Sequence, residues 1–502
     1  MKKVCIVMFA LLLFGAFPGG AAAGEKVLMF GVDAEPIGFD PHTISAVASC
    51  RTIYQLYNSL VGLDEKLNVV PELAKSWEQP DDVTYVFHLR DDVKFHSGRK
   101  MTAADVKYSF ERILDSKTGA LANSPSYAGN IASVEAVDDY TVRFKLKQIT
   151  APFLVNVSHA YCSIVDREAV EKNGDLLRAD GGTGPFTLGE WTPDNRVVLH
   201  KFADYFVKGE PRTDRIEYYV MKDSAARLAA LRTGRVSIIN ADTSMLPVVK
   251  GDTNIYTVSY QSFNYSALCL KTTLAPFRDP RVRQAISLAL ARQDIIDIAY
   301  NGEAEISGFV PASMGHWAVD VKSHPLYRQD LKKAKELLTA AGFEKGFDVT
   351  ITVGLLDSLR DIGAVVQQQL APLNIRASVV NKENAEYVDQ WRAHNFEIMV
   401  CQNVAGFDPS RGVEFFFKTG AAANIAEYSN ARVDELCTLA AGTTDQAKRE
   451  TYYKEAIGII LDESPNVVIA SPREYFLAGT GVENFAPSAV NPYRLSAVEI
   501  SQ

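Results

Sequence analysis

The 502-residue sequence has six cysteines, eight histidines and no excess of basic side chains, and each shortage excludes a class of function. Cys5 falls in the first apolar run. The other five cysteines, Cys50, Cys162, Cys269, Cys401 and Cys437, show no CxxC or Cys/His spacing, so neither a metal site nor a cofactor is expected. An odd count leaves at least one thiol outside any intramolecular disulfide, and spacing leaves the pairing of the rest open. The histidines are scattered and neither GxSxG nor HExxH occurs, so the recognisable hydrolase signatures are missing and no enzyme is expected. Basic residues number 52 against 61 acidic ones, a net charge of −9 and the wrong sign for binding nucleic acid. Long apolar runs are scarce too: the run from Val4 to Phe17 is shorter than the roughly 20 residues of a membrane span, and nothing later approaches it.

That run follows Lys2 and Lys3 and gives way to Ala21-Ala22-Ala23, the order of a secretory signal peptide cut after Ala23. Cys5 stands at the start of the run and not at the cut, so a lipoprotein anchor is not expected. Removing residues 1–23 leaves 479 residues with 50 basic and 61 acidic side chains, a net charge of −11. A chain of this length outgrows one hydrophobic core, which points to two or three domains in a soluble, exported protein.

The most legible stretch runs from Pro71 to Leu114. In Thr84 to Arg90, Tyr85, Phe87 and Leu89 fall on one face of a strand, because successive side chains point to opposite sides, while His88 falls on the other, wet face. Gly98 closes a turn. Thr102 with Asp105 forms a capping box for a helix whose apolar stripe is Val106, Phe110, Ile113 and Leu114. Beyond it, Ile131 to Val137 and Tyr140 to Lys147 read as a hairpin around Asp138-Asp139, with Val142, Phe144 and Leu146 facing inward. Gly181-Gly182-Thr183-Gly184-Pro185-Phe186 lacks the lysine of a phosphate-binding loop and leads into a hairpin instead. Asp279 caps a helix that carries Pro280 in its first turn, where the missing N–H costs nothing. From residue 330 onward helices and strands alternate, a pattern that predicts a mainly parallel sheet with ligands bound beyond the carboxyl ends of its strands.

Several of these segments carry a resemblance. Leu73-Ala74, Trp77, Tyr85-Val86-Phe87, Leu89-Arg90, Val93 to Gly98 and Thr102 to Val106, followed by Gly182 to Phe186 and the run from Ala275 to Ile296, resemble the extracellular solute-binding proteins of family 5. This family comprises the periplasmic dipeptide-, oligopeptide- and nickel-binding components of ABC importers. The resemblance implies an α/β fold of the two-lobed periplasmic binding protein type (type II, a Venus flytrap), with an extra α+β subdomain in the first lobe. The implied boundaries are a signal peptide at 1–23, lobe I at 24–264 with the extra subdomain at about 63–180, lobe II at 265–478, and a return to lobe I at 479–502. Two crossings between lobes make a two-stranded hinge.

The resemblance also places the site. The segment around Asp40-Pro41 reaches the cleft in the family, which brings Thr43 and Ser45 to the ligand, although Asp-Pro equally suits a surface turn. Arg360 follows a lobe II strand where peptide-binding relatives hold a substrate carboxylate. A planar guanidinium fork suits that task, and a lone arginine in a helix's first turn calls for a dedicated partner. Gln402, Asn403 and Asp408 lie after the strand from Glu397 to Cys401, and Tyr161 and Tyr265 complete the ligand-binding candidates. Peptide binders carry an acid three positions before the Asp-Pro pair to hold the peptide's α-ammonium. Ala405 stands there instead and cannot neutralise a buried ammonium, so a free amino terminus is in doubt unless Asp408 or an acid from the other lobe substitutes. The implied function is delivery of a peptide or peptide-like solute, with a carboxylate among its possible groups, to ABC permease subunits by a periplasmic monomer. A non-peptide solute (a modified amino acid, opine, nickel complex or sugar) and a sensory solute receptor are the alternatives.

Overall fold

A computed structural model of the chain describes residues 24–44, 46–118, 120 and 127–501. Its organising element is the 14-residue strand Asn466–Gly479, buried at nearly every position. A strand covered on both faces reads as a nearly continuous apolar run, and NVVIAS and YFLAG are such runs. Its first half pairs antiparallel with Asn264–Leu270 and Ala304–Ile306, and its second half with Ile238–Ala241 and Ile255–Gln261. The same strand therefore serves two lobes, each with its own core. In one, Phe30, Ile53, Leu199, Ile216 and Phe476 pack together. In the other, Ile286, Ile351, Val366, Ile398 and Val467 do so.

The chain passes between the lobes at Ser262-Phe263 and at Ser471-Pro472. The Ser262 hydroxyl donates to the Pro472 carbonyl at 2.9 Å, and Gln261 Nε2 donates to the Ser471 carbonyl at 2.8 Å. Pro472 has no N–H to give a ladder, so it suits the point where the strand changes partners. The mainly parallel sheet expected for the second lobe needs correction. Asp348–Val353 runs parallel to Arg376–Asn381 and Ile398–Val404, but Asn264–Leu270 runs antiparallel to both of its neighbours. Parallel pairing requires a crossover, and helices Asp357–Leu370 and Asn384–Arg392 supply one only for those three strands. Near the end of the chain, Phe485, Tyr493 and Leu495 pack on Phe30 and Phe476.

The Pro71 to Leu114 stretch forms the expected unit. Strands Ala74–Asp81, Thr84–Leu89, Thr141–Leu146 and Ile131–Asp138 make a four-stranded antiparallel sheet in the order given, with Tyr85 opposite Phe144 and Phe87 opposite Val142. Helix Ala103–Leu114 starts at the predicted capping box, where the Asp105 carboxylate accepts the Thr102 N–H at 2.9 Å, and it lays Phe110 against Phe144. The glycine run is a packing seam. A Cβ on Gly182 would lie 1.7 Å from the Leu56 carbonyl oxygen, and one on Gly184 would lie 2.3 Å from that of Gln55. Any other residue would push this segment off the end of helix Val47–Leu56. His96 fixes the seam from the other side, with Nδ1 2.6 Å from Asp180 and Nε2 2.9 Å from the Gly184 carbonyl.

The Asp40-Pro41 turn is held by buried charge. Arg112, on the subdomain helix, donates to both Asp40 oxygens at 2.5 and 3.0 Å and lies 2.8 Å from His42 Nδ1. Burial, opposed by the Asp40 charge and assisted by that of Arg112, holds the His42 imidazole down to about 4, so the ring is neutral at physiological pH. Truncating one partner of a buried pair leaves the other charge uncompensated. Arg112→Ala should therefore lower the unfolding free energy by about 3–5 kcal/mol in urea titrations, and a loss below about 1 kcal/mol would show the pair to be as weak as a surface one.

Candidate functional site

A cavity of about 810 Å³ opens beside the junction of the lobes. Tyr54 and Tyr57 from the end of the first helix, Asn58, Glu72, Tyr205 and Tyr493 line it from the first lobe, and Phe407 closes it from the second. The size and the mixture of rings with a few polar groups suit a small polar solute. Glu72 is held by Asn58 Nδ2 at 2.7 Å and the Ser59 N–H at 3.2 Å. Burial pushes its carboxyl up to about 7 even though both donors favour the charged form.

Behind Phe407 the lobes meet in a seam of rings. The Phe407 ring lies 5.6 Å from that of His159 across the junction and 5.8 Å from that of Phe263 in its own lobe. His159 is itself stacked on Tyr127 at 4.5 Å and packed against Tyr161 at 4.3 Å. Burial first, and then the charge of Arg411, drive the His159 imidazole down to about 3, so it enters the seam as a neutral ring. Arg411 belongs to helix Pro409–Phe417 and lies over the Phe415 ring at 4.0 Å.

The residues singled out from sequence fare differently. Tyr161 is part of the seam. Tyr265 and Asn403 are brought together on neighbouring strands, with Asn403 Nδ2 3.5 Å from the buried Tyr265 hydroxyl, whereas Gln402 points to the opposite, exposed face. Thr43 Oγ1 is buried and has no hydrogen-bond partner among the described residues. Ser45 lies outside the described residues. None of these lines the 810 Å³ cavity.

Arg360 donates to the Leu355 carbonyl at 2.6 Å and pairs with Asp357 at 3.0 Å, so the partner that its position called for is supplied by its own turn. Asp408 is already paired. Arg449 holds its two oxygens at 2.8 and 3.0 Å, one of them also caps the Ser410 N–H, and both Asp408 and Arg449 are 6% exposed. Ala405 is fully buried against the lobe's aromatic core, with its N–H on the Phe263 carbonyl at 3.0 Å.

Sequence reasoning passed over Phe407, His159 and Glu72. Phe407 adjoins the Asp-Pro pair and His159 stands two residues before Tyr161, so both were within reach of the candidates named. Glu72 lies at the start of the Pro71 to Leu114 stretch, whose pattern spoke for fold and not for a ligand.

Known proteins resemble the chain along almost its whole length. The sequence pattern of the bacterial extracellular solute-binding proteins, family 5 Middle, matches residues 68–424. Di/tripeptide-binding protein 1 of Pseudomonas aeruginosa (strain UCBPP-PA14) is 28% identical over 99% of this chain and 98% of its own length. Two solved structures share the fold. DppA from Helicobacter pylori in complex with the peptide STSA superposes with a TM-score of 0.81 at 27% identity, covering 95% of this chain and 98% of that one. AgaA from A. tumefaciens R10 in complex with agropinic acid superposes with a TM-score of 0.80 at 26% identity, covering 95% and 99%.

Glu72 gives the cavity a pH signature. Its folded carboxyl releases its proton near 7 instead of the usual 4.5, so between those values the folded state holds more protons than the unfolded one and stability falls as pH rises. Glu72→Gln should therefore gain stability relative to wild type between about pH 5 and pH 7.5 in urea titrations. Parallel stability–pH curves for the two proteins would contradict this environment.

Proposed function

Because the chain belongs to the bacterial extracellular solute-binding proteins of family 5, we propose that it captures a peptide or peptide-like small solute in the periplasm and delivers it, chemically unchanged, to the permease subunits of an ABC importer. The observation that carries this reading is Phe407 of one lobe seated on His159 of the other beside an 810 Å³ cavity, with the lobes joined only loosely in sequence, at Ser262-Phe263 and Ser471-Pro472. Such an arrangement buries a solute when the lobes approach, and closure is favoured only by as much as the solute prefers the closed form. The peptide ligands named for the DppA structure and for the Pseudomonas protein support the substrate class. Membership of an extracellular family supports a place outside the cytoplasm, with residues 1–23 as the export signal, and no helix among the described residues is long and apolar enough to cross a membrane.

The working unit in this reading is a monomer. Lobe I takes residues 24–264 with the subdomain at about 63–180, lobe II takes 265–478, and residues 479–502 return to lobe I; the pairing of Arg473 to Gly479 with Ile255–Gln261 favours a return a few residues earlier.

A second reading rests on one feature. In the segment from Gln402 to Arg411 the sole carboxylate, Asp408, is sealed by Arg449, and Ala405 offers none. Lobe II therefore presents no free acid there to an α-ammonium, which favours a solute with a blocked or absent amino group. The agropinic acid bound by AgaA shows that the fold accommodates a non-peptide ligand.

Titration calorimetry with a panel of di- and tripeptides and their N-acetyl forms tests both readings. At least one solute should bind, be recovered unchanged, and bind no more weakly when acetylated. Absence of binding across the panel, or recovery of a cleaved product, would reject the transport reading. A strong loss on acetylation would reject the second.

A further inference from the structure

Backbone groups buried where a chain leaves a sheet must find partners without a ladder to supply them. Between the pairs Gln261–Arg473 and Ser266–Ala470 no ladder joins the two segments that pass between the lobes, and the one backbone contact there, from the Ser262 N–H to the Pro472 carbonyl, is long at 3.4 Å. Side chains take over. Gln261 Nε2 donates to the Ser471 carbonyl and to the Ser471 hydroxyl, both at 2.8 Å, and reaches the Pro472 carbonyl at 3.3 Å. The Ser471 hydroxyl donates in turn to the Ser262 carbonyl at 3.2 Å, and the Ser262 hydroxyl donates back to the Pro472 carbonyl at 2.9 Å. Ser313, from the second lobe, donates to the same Ser262 carbonyl at 3.0 Å.

These groups form one polar chain that starts on the first lobe, runs through both crossings and ends on the second. Ser262 and Ser471 are buried. The Gln261 carboxamide oxygen is buried as well and has no partner among the described residues, so the donor side alone holds the group in this orientation against the loss of a bond to water. A cavity of about 280 Å³ lies against Gln261, Phe263 and Ser313, which leaves the carboxamide room to swing away when the crossings shift.

We propose, on the basis of the solute-binding reading above, that Gln261 is a bolt between the two crossings, and that it raises the share of ligand-free molecules in which Phe407 meets His159. Without its N–H groups the carbonyls of Ser471 and Pro472 lose a donor while still buried, and parting of the lobes, which admits water, becomes the cheaper arrangement. The affinity for a solute held between the lobes scales with the share of molecules already in the receptive arrangement, so a residue remote from the solute tunes binding.

Small-angle X-ray scattering of the ligand-free protein tests the bolt in wild type, Gln261→Met, Gln261→Lys and Ser313→Ala. Gln261→Met keeps the bulk and loses the donors, and it should shift the open-to-closed ratio by about five- to tenfold, the scale of one buried hydrogen bond, seen as a larger radius of gyration. Gln261→Lys, which keeps an N–H donor on a long side chain, should return part of the way to wild type. Ser313→Ala, which cuts the chain on the other lobe, should move the radius in the same direction as Gln261→Met. Equal radii for wild type and Gln261→Met, or the full increase in Gln261→Lys, would overturn the proposal. Should Gln261→Met lose its folded circular dichroism, an unchanged radius in Ser313→Ala would overturn it instead. The scattering needs no solute, so the bolt can fail while the transport reading stands, and absence of binding across the calorimetry panel rejects that reading whatever the radii show.

Discussion

One strand belongs to two sheets. Asn466–Gly479 completes the second lobe with its first half and the first lobe with its second, and Pro472, unable to donate to either ladder, marks the exchange. Each lobe keeps an apolar core of its own, and the chain crosses between them beside Ser262 and Pro472. The aromatic seam lies where the two lobes meet, and the cavity beside it is lined by the first lobe with Phe407 of the second at its edge.

The charges around the junction divide into two groups. Asp408 with Arg449, Asp40 with Arg112, and Arg360 with Asp357 are satisfied within the protein. Each of these charges already has its partner in place. Glu72 is intermediate, a carboxyl with two hydrogen-bond donors but with burial pressing it toward neutrality. His159, held neutral, can form part of a ring stack without adding a positive charge beside Arg411.

Much of the scaffold was legible in the sequence. Alternation placed the Tyr85, Phe87 and Leu89 strand and its partner hairpin, and Thr102 with Asp105 marked a helix start, because strand faces and helix caps are set by residues a few positions apart. The direction of lobe II strands was less so. Alternation of helices and strands suggests parallel pairing, but Asn264–Leu270 arrives from the first lobe and pairs antiparallel. The site was least legible. That Asp408 is consumed by Arg449, 41 positions away, depends on how helix Gln446–Glu463 packs, and no local pattern carries that information. Phe407 and His159 are far apart in the chain and gain meaning only when the lobes meet.

If closure across the Phe407–His159 contact is what captures the solute, covalently holding that contact should bar entry. Native mass spectrometry of the protein carrying Phe407→Cys and His159→Cys, oxidised or reduced and then dialysed against a dipeptide mixture, measures this directly. The reduced protein should gain the mass of a bound solute and the oxidised protein should gain none. Equal uptake by both forms would contradict capture by hinged closure at this seam.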